Sequence, residues 1–81
     1  MPENLVNIGI AGATGVVGGT VRAILAERGF PVGELRLLAS ERSQGRQLPF
    51  SGREVTVQTL TADSFAGLDL VFFAAGGDHR D

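Results

Sequence analysis

Hydrophobic positions fall into distinct runs along the chain, and their spacing changes from run to run. Residues 5–11 are branched or small apolar residues interrupted by Asn7, which reads as a strand buried on both faces, as in parallel sheets. Gly9 inside that run marks close approach of another backbone. From residue 16 the period lengthens: Val17, Val21, Ile24 and Leu25 stand at i, i+4, i+7 and i+8, one face of an amphipathic helix reaching Arg28. Gly29 stops that helix and Pro31 keeps it from resuming. Residues 34–39 predict a second strand, followed by a polar loop over residues 40–46. Residues 47–50 and 54–58 flank Ser51-Gly52-Arg53 and predict a hairpin, whose first arm Pro49 confines to a sheet edge. Residues 61–65 predict one capped helical turn with Phe65 facing inward, and the continuous apolar run 70–75 predicts a central, buried strand.

Two strands joined by a helix make a βαβ unit, and such crossovers are almost always right-handed. The chain therefore predicts an α/β fold: a Rossmann-like, doubly wound, mostly parallel sheet, truncated after its fourth strand and carrying a β-hairpin insertion. The expected order across the sheet is hairpin, second strand, first strand, last strand. Residues 1–81 are expected to be a single domain, without repeats and without a linker.

Composition narrows the function classes. The net charge is −2 and all seven basic residues are Arg, so no clustered positive charge supports nucleic-acid binding. No apolar stretch approaches the length of a membrane span. The opening Met1-Pro2-Glu3-Asn4 lacks a signal-peptide pattern, which makes the cytoplasm the expected location. There is no Cys, which excludes disulfides, thiolate metal sites and a cysteine nucleophile from these residues.

The candidate chemistry lies where strands end. Gly12-Ala13-Thr14-Gly15-Val16-Val17-Gly18 joins the first strand to the helix, with glycines spaced three apart. Small residues there let backbone N–H groups approach a phosphate at the positive end of the helix; the same spacing also suits a plain strand-to-helix turn. After the second strand come Ser40, Glu41, Arg42 and Ser43. An acidic residue at this place binds the ribose 2′-hydroxyl of NAD, whereas Arg with small hydroxyl residues suits the 2′-phosphate of NADP. An alternating tip would aim Glu41 at solvent and turn Ser40 and Arg42 to the ligand, which favours NADP over NAD or a solvated loop. The turn Ala74-Ala75-Gly76-Gly77 would let a nicotinamide ring pack on backbone, or is a tight exit from a strand. His79, near the end of the chain, reads as a surface residue, and Asp63, Asp69 and Asp78 show neither metal-ligand nor paired-acid spacing.

Over nearly its whole length the chain resembles the N-terminal part of the aspartate-β-semialdehyde dehydrogenases. The resemblance rests on the glycine turn, on Arg28-Gly29-Phe30-Pro31-Val32, on Leu37-Leu38-Ala39-Ser40-Glu41-Arg42-Ser43-Gln44-Gly45, and on the hairpin and Phe72-Phe73-Ala74-Ala75-Gly76-Gly77. The Ala-Ser-x-Arg-Ser-x-Gly loop followed by a short hairpin is its most specific part. It implies NADP on backbone at Thr14, Gly15, Val16 and Val17, with Gly12 and Gly18 permitting close approach. It also implies the 2′-phosphate on Arg42, Ser43 and Ser40, and the nicotinamide side over Ala75 and Gly76. The family reaction is NADPH-dependent reduction of the acyl phosphate L-aspartyl-4-phosphate to the semialdehyde, in dimers or tetramers. Its nucleophilic Cys and acid/base His have no counterpart in these residues, so the resemblance implies cofactor binding here without catalysis. N-acetyl-glutamyl-phosphate reductase and a stand-alone NAD(P)-binding redox sensor are the alternatives.

Overall fold

In the computed structural model residues 5–74 are described, and they form one five-stranded sheet with a helix on one face. The strands are β1 (Val6–Ala11), β2 (Val32–Ala39), β3 (Gln47–Phe50), β4 (Arg53–Thr59) and β5 (Leu70–Phe73), and the helix is α1 (Val16–Glu27). Their order is β3-β4-β2-β1-β5; every pair is parallel except the β3–β4 hairpin. This is the predicted order, and the mostly parallel Rossmann-like class holds. The hairpin docks through its second arm, with Leu37, Leu38 and Ala39 opposite Val57, Gln58 and Thr59.

Strand alternation sorts the sheet into two faces. Ile8 and Ile10, Leu35 and Leu37, and Val57 form a core with Leu25 of α1, while Val21 and Ala26 pack against it. The helix ends in a Schellman arrangement: Phe30 N–H donates to Leu25 O at 3.1 Å and Gly29 N–H to Ala26 O at 3.2 Å, with Gly29 at φ +63°. The apolar face of α1 is rotated from the sequence expectation. Gly18 and Leu25 are buried, whereas Val17 and Ile24 are 53% and 44% exposed, because among the described residues only the sheet covers the helix and these two lie on its flank.

The other face is covered by residues 60–69. Arg36 Nη1 donates to the carbonyls of Ser64 and Ala66 at 2.7 and 2.9 Å, and its Nε and Nη2 hold Glu34. The 3₁₀ turn Ala62–Phe65 buries Ser64 rather than Phe65. Thr61 N–H donates to Ser64 Oγ at 2.7 Å, and Phe65 is half-buried, edge-on to Phe73 at 5.7 Å. The close approach at Gly9 is by a side chain: a Cβ there would lie 2.6 Å from Leu68 Cδ1, with the backbone Arg36 O at an ordinary 3.8 Å. Strand β5 also departs from its expectation. It is partly exposed and has one partner, β1, among the described residues, so the burial expected of a central strand is not reached.

Candidate functional site

All the parallel strands present their carboxyl ends at one edge, where ligands of open α/β sheets bind. The turn after β1 is closed onto β2: the N–H groups of Gly12 and Ala13 both donate to Leu38 O, at 2.8 and 3.1 Å. Gly12 has φ +82°, a conformation that favours glycine. At Gly18 a Cβ would lie 2.4 Å from Gly12 O and 2.8 Å from Ala13 Cα, so the helix can sit on this turn only with no side chain there. Gly15 differs. Its φ of −82° suits any residue, and a Cβ would meet nothing closer than Gly12 O at 3.5 Å, ordinary contact. Two glycines are demanded by the fold, and the middle one keeps the outside of the turn bare.

The helix start is uncapped. Gly15 offers no side chain, the first turn holds no acidic residue, and the first backbone bond of the helix runs from Gly19 N–H to Gly15 O at 3.0 Å. The amides of Val16, Val17 and Gly18 therefore have no acceptor among the described residues. Three unpaired donors at the positive end of a helix are a fitting seat for a phosphate group.

Beside them opens a crevice of about 510 Å³, lined by Gly12, Thr14, Ala39, Ser40, Glu41, Thr59 and Leu60. Of the residues predicted from sequence, Gly12, Thr14 and Ser40 line it directly. Ser43 is outside the lining but stands next to it, with Ser43 Oγ 3.5 Å from Thr14 Oγ1. The tip after β2 is a 3₁₀ turn, Glu41–Ser43, and not an extended segment, so the alternation expected for it does not apply. Glu41 is on the crevice wall, while Arg42 is exposed outside it and makes no hydrogen bond or ion pair among the described residues. Val16 and Val17 are exposed at the helix start. Ala75 and Gly76, expected under the nicotinamide side, lie outside the described residues.

Thr59 and Leu60 were not anticipated. They reach the crevice because β4 lies parallel to β2 and ends at the same edge, with Leu60 N–H donating to Ala39 O at 2.9 Å. Thr59 Oγ1 bonds Gln44 Oε1 at 2.7 Å and so ties β4 to the polar loop. The signal lay in the hairpin: a second arm docked parallel to β2 must bring its end here. A smaller hollow of about 360 Å³ lies at the opposite edge, where β2 and β4 part near Gly33 and Glu54. It is at the wrong end of the strands for a ligand of this fold. No group of three or more His, Cys, Asp or Glu gathers to hold a metal among the described residues, and no helix there is long and apolar enough to cross a membrane.

The comparisons agree with this geometry. The family model described as "Semialdehyde dehydrogenase, NAD binding domain" matches residues 7–80. An aspartate-semialdehyde dehydrogenase of Aquifex aeolicus is 54% identical over 71 residues, covering 86% of this chain and 21% of that protein. A "USG-1 protein homolog" of Azotobacter vinelandii is 52% identical, covering 88% and 21%. The crystal structure of aspartate semialdehyde dehydrogenase II from Vibrio cholerae, complexed with ASA, superposes with a TM-score of 0.86 at 46% identity, covering 91% of this chain and 24% of that one. The chain thus spans about a fifth of the length of the curated relatives it matches. Bare turn, uncapped helix start and matched sequence concur: the chain belongs to the semialdehyde dehydrogenase family, with residues 7–80 matching its NAD-binding domain.

Proposed function

We propose that this chain is the NADP-binding part of an aspartate-β-semialdehyde dehydrogenase, acting in the cytoplasm. The complete enzyme would reduce L-aspartyl-4-phosphate to aspartate semialdehyde with loss of phosphate, for lysine, threonine and methionine synthesis, as a homo-oligomer. The observation that carries this is the convergence of three strand ends on one crevice beside three unpaired helix amides. In this reading the pyrophosphate lies on the amides of Val16, Val17 and Gly18, with the adenosine in the crevice between Ser40 and Leu60. Arg42, Ser43 and Ser40 would meet the 2′-phosphate, and Ala75 and Gly76 the nicotinamide side. When bound, the cofactor supplies a hydride. These residues would bind and orient it, and with no Cys among the 81 they contribute no thiol nucleophile.

Arg42 decides the test. Its guanidinium can offer a phosphate two parallel hydrogen bonds, and only NADP carries a phosphate on the 2′-oxygen. Calorimetric titration of the 81-residue chain should show NADP binding, and Arg42→Ala should weaken NADP by about tenfold, roughly 1.4 kcal/mol, while NAD binding changes little. Equal loss of both cofactors would defeat the assignment of Arg42, and a folded chain that binds neither would defeat the function.

A further inference from the structure

We infer that Gln44 is a positioning residue of this site: through its hydrogen bond to Thr59 it holds residues 40–43 in place beside the crevice before a cofactor arrives. This rests on the dinucleotide-binding reading above and adds to it a residue that acts without touching the cofactor. Residues 40–44 bridge two fixed points. On one side Ala39 belongs to β2, and its carbonyl accepts from Leu60 N–H at 2.9 Å. On the other the chain is joined to β4, where Gly45 N–H donates to Val57 O at 2.9 Å and Val57 N–H to Arg46 O at 2.8 Å. Between these points the 3₁₀ turn Glu41–Ser43 closes on itself. Ser43 N–H donates to Ser40 O at 2.9 Å, and Gln44 N–H to Glu41 O at 3.2 Å. Those bonds fix the shape of the turn but not where it stands.

Its place is set by side chains. Among the described residues, two side-chain hydrogen bonds reach from this segment to the rest of the chain. Ser43 Oγ stands 3.5 Å from Thr14 Oγ1, beyond the usual range for a pair of hydroxyls, so that contact holds little. Thr59 Oγ1 donates to Gln44 Oε1 at 2.7 Å, a bond of ordinary full strength to the end of β4. Thr59 lines the crevice together with Ser40 and Glu41, whereas Gln44 is outside the lining. The short bond therefore ties the segment that carries Ser40 and Glu41 to the strand that carries Thr59, and so fixes the spacing of the crevice-lining residues. Because Gln44 makes this bond, the Ser43 hydroxyl keeps a proton to give to a ligand. A segment ordered in advance loses less freedom when a ligand binds, which is how a residue without ligand contact raises affinity.

The test uses the whole 81-residue chain, Gln44→Ala, Thr59→Val and the double variant. Without ligand, trypsin cleavage after the exposed Arg42 reads the freedom of the segment. Cleavage after Arg53, which is paired with Phe50 in the hairpin, is the control. Gln44→Ala and Thr59→Val should each speed cleavage after Arg42 by about three- to tenfold, the worth of one hydrogen bond, and leave cleavage after Arg53 unchanged. Gln44→Glu keeps an acceptor oxygen for the Thr59 hydroxyl and should be cut at the parental rate. In calorimetric titration each single variant should weaken NADP by about three- to tenfold. The double variant should weaken it no further than either single one, because the same bond is lost in all three. Cleavage after Arg42 at the parental rate in Gln44→Ala overturns the proposal, and so does unchanged NADP affinity in that variant. Losses that add in the double variant overturn it too, since Thr59 then meets the cofactor by itself. A folded parent chain that binds no NADP overturns the dinucleotide reading, and this proposal with it, even where the cleavage rates respond as expected.

Discussion

At the scale of single residues, the three glycines of the turn are not interchangeable. Gly18→Ala would drive a methyl group into backbone atoms that cannot step aside, since Gly12 O and Ala13 Cα are held by the bonds to Leu38. Overpacking of this kind should cost about 2–3 kcal/mol, read from the urea midpoint. Gly15→Ala should be nearly silent in the same assay, within about 0.5 kcal/mol, yet lower the affinity for NADP and NAD alike, because its methyl group would crowd the place of the pyrophosphate. If Gly15→Ala binds both normally, the middle glycine is only part of a turn. Arg22 presents the opposite case. It stands on α1 itself, and its Nη1 is buried without a hydrogen-bond partner among the described residues. An unmet buried donor costs about 1–3 kcal/mol, so Arg22→Leu should raise stability by about 1 kcal/mol. An unchanged or lowered midpoint would show that the guanidinium has a partner after all.

At the scale of elements, what the sequence made legible and what it did not have different physical causes. Branched apolar runs located β1 and β2, the Gly29 stop placed the helix end, and the right-handed crossover with a docked hairpin sufficed for strand order. These signals are local or follow from chirality. Burial depends on what covers an element, and that is not local. The spacing of Val17, Val21, Ile24 and Leu25 defined a helix but not its rotation on the sheet, and the structure leaves Val17 and Ile24 on the flank. The site was legible in the same uneven way. Gly12, Thr14 and Ser40 were found from their places at strand ends, while Thr59 and Leu60 follow only once the second arm of the hairpin is docked parallel to β2, a long-range step beyond the local pattern. The exchange of Glu41 for Arg42 on the crevice wall depended on a 3₁₀ turn replacing an extended tip. The hairpin offers a check on such local reasoning. Ser51 and Gly52 have φ of +53° and +87°, the two positive values of a type I′ turn, in which Asn is much better suited than Ser to the first place. Ser51→Asn should stabilise the chain by about 0.5 kcal/mol, with cofactor affinity unchanged because the turn is at the far end of β4 from the crevice.

At the scale of the whole molecule, the two edges of the described sheet are managed differently. Strand β3 carries Pro49, which cannot donate to an incoming strand, and is only four residues long. Strand β5 reads Leu-Val-Phe-Phe, has no proline and no charge, and shows Phe73 73% exposed. An apolar edge without a blocking residue invites pairing with a second chain. The 81-residue chain should therefore associate at tens of micromolar, a range typical of such exposed edges, and Phe73→Lys should return it to a monomer in sedimentation velocity. The substitution also removes the edge-on contact with Phe65, worth about 0.5–1.5 kcal/mol, so the thermal midpoint should drop by about 3–10 °C in a domain of this size. The two effects are separable: association follows the charge placed on the edge, and the midpoint follows the lost ring contact. Phe73→Leu should lower the midpoint similarly and leave association in place. A wild-type chain that stays monomeric at these concentrations would show that β5 is covered in solution, and the exposed edge would then have no part in its behaviour.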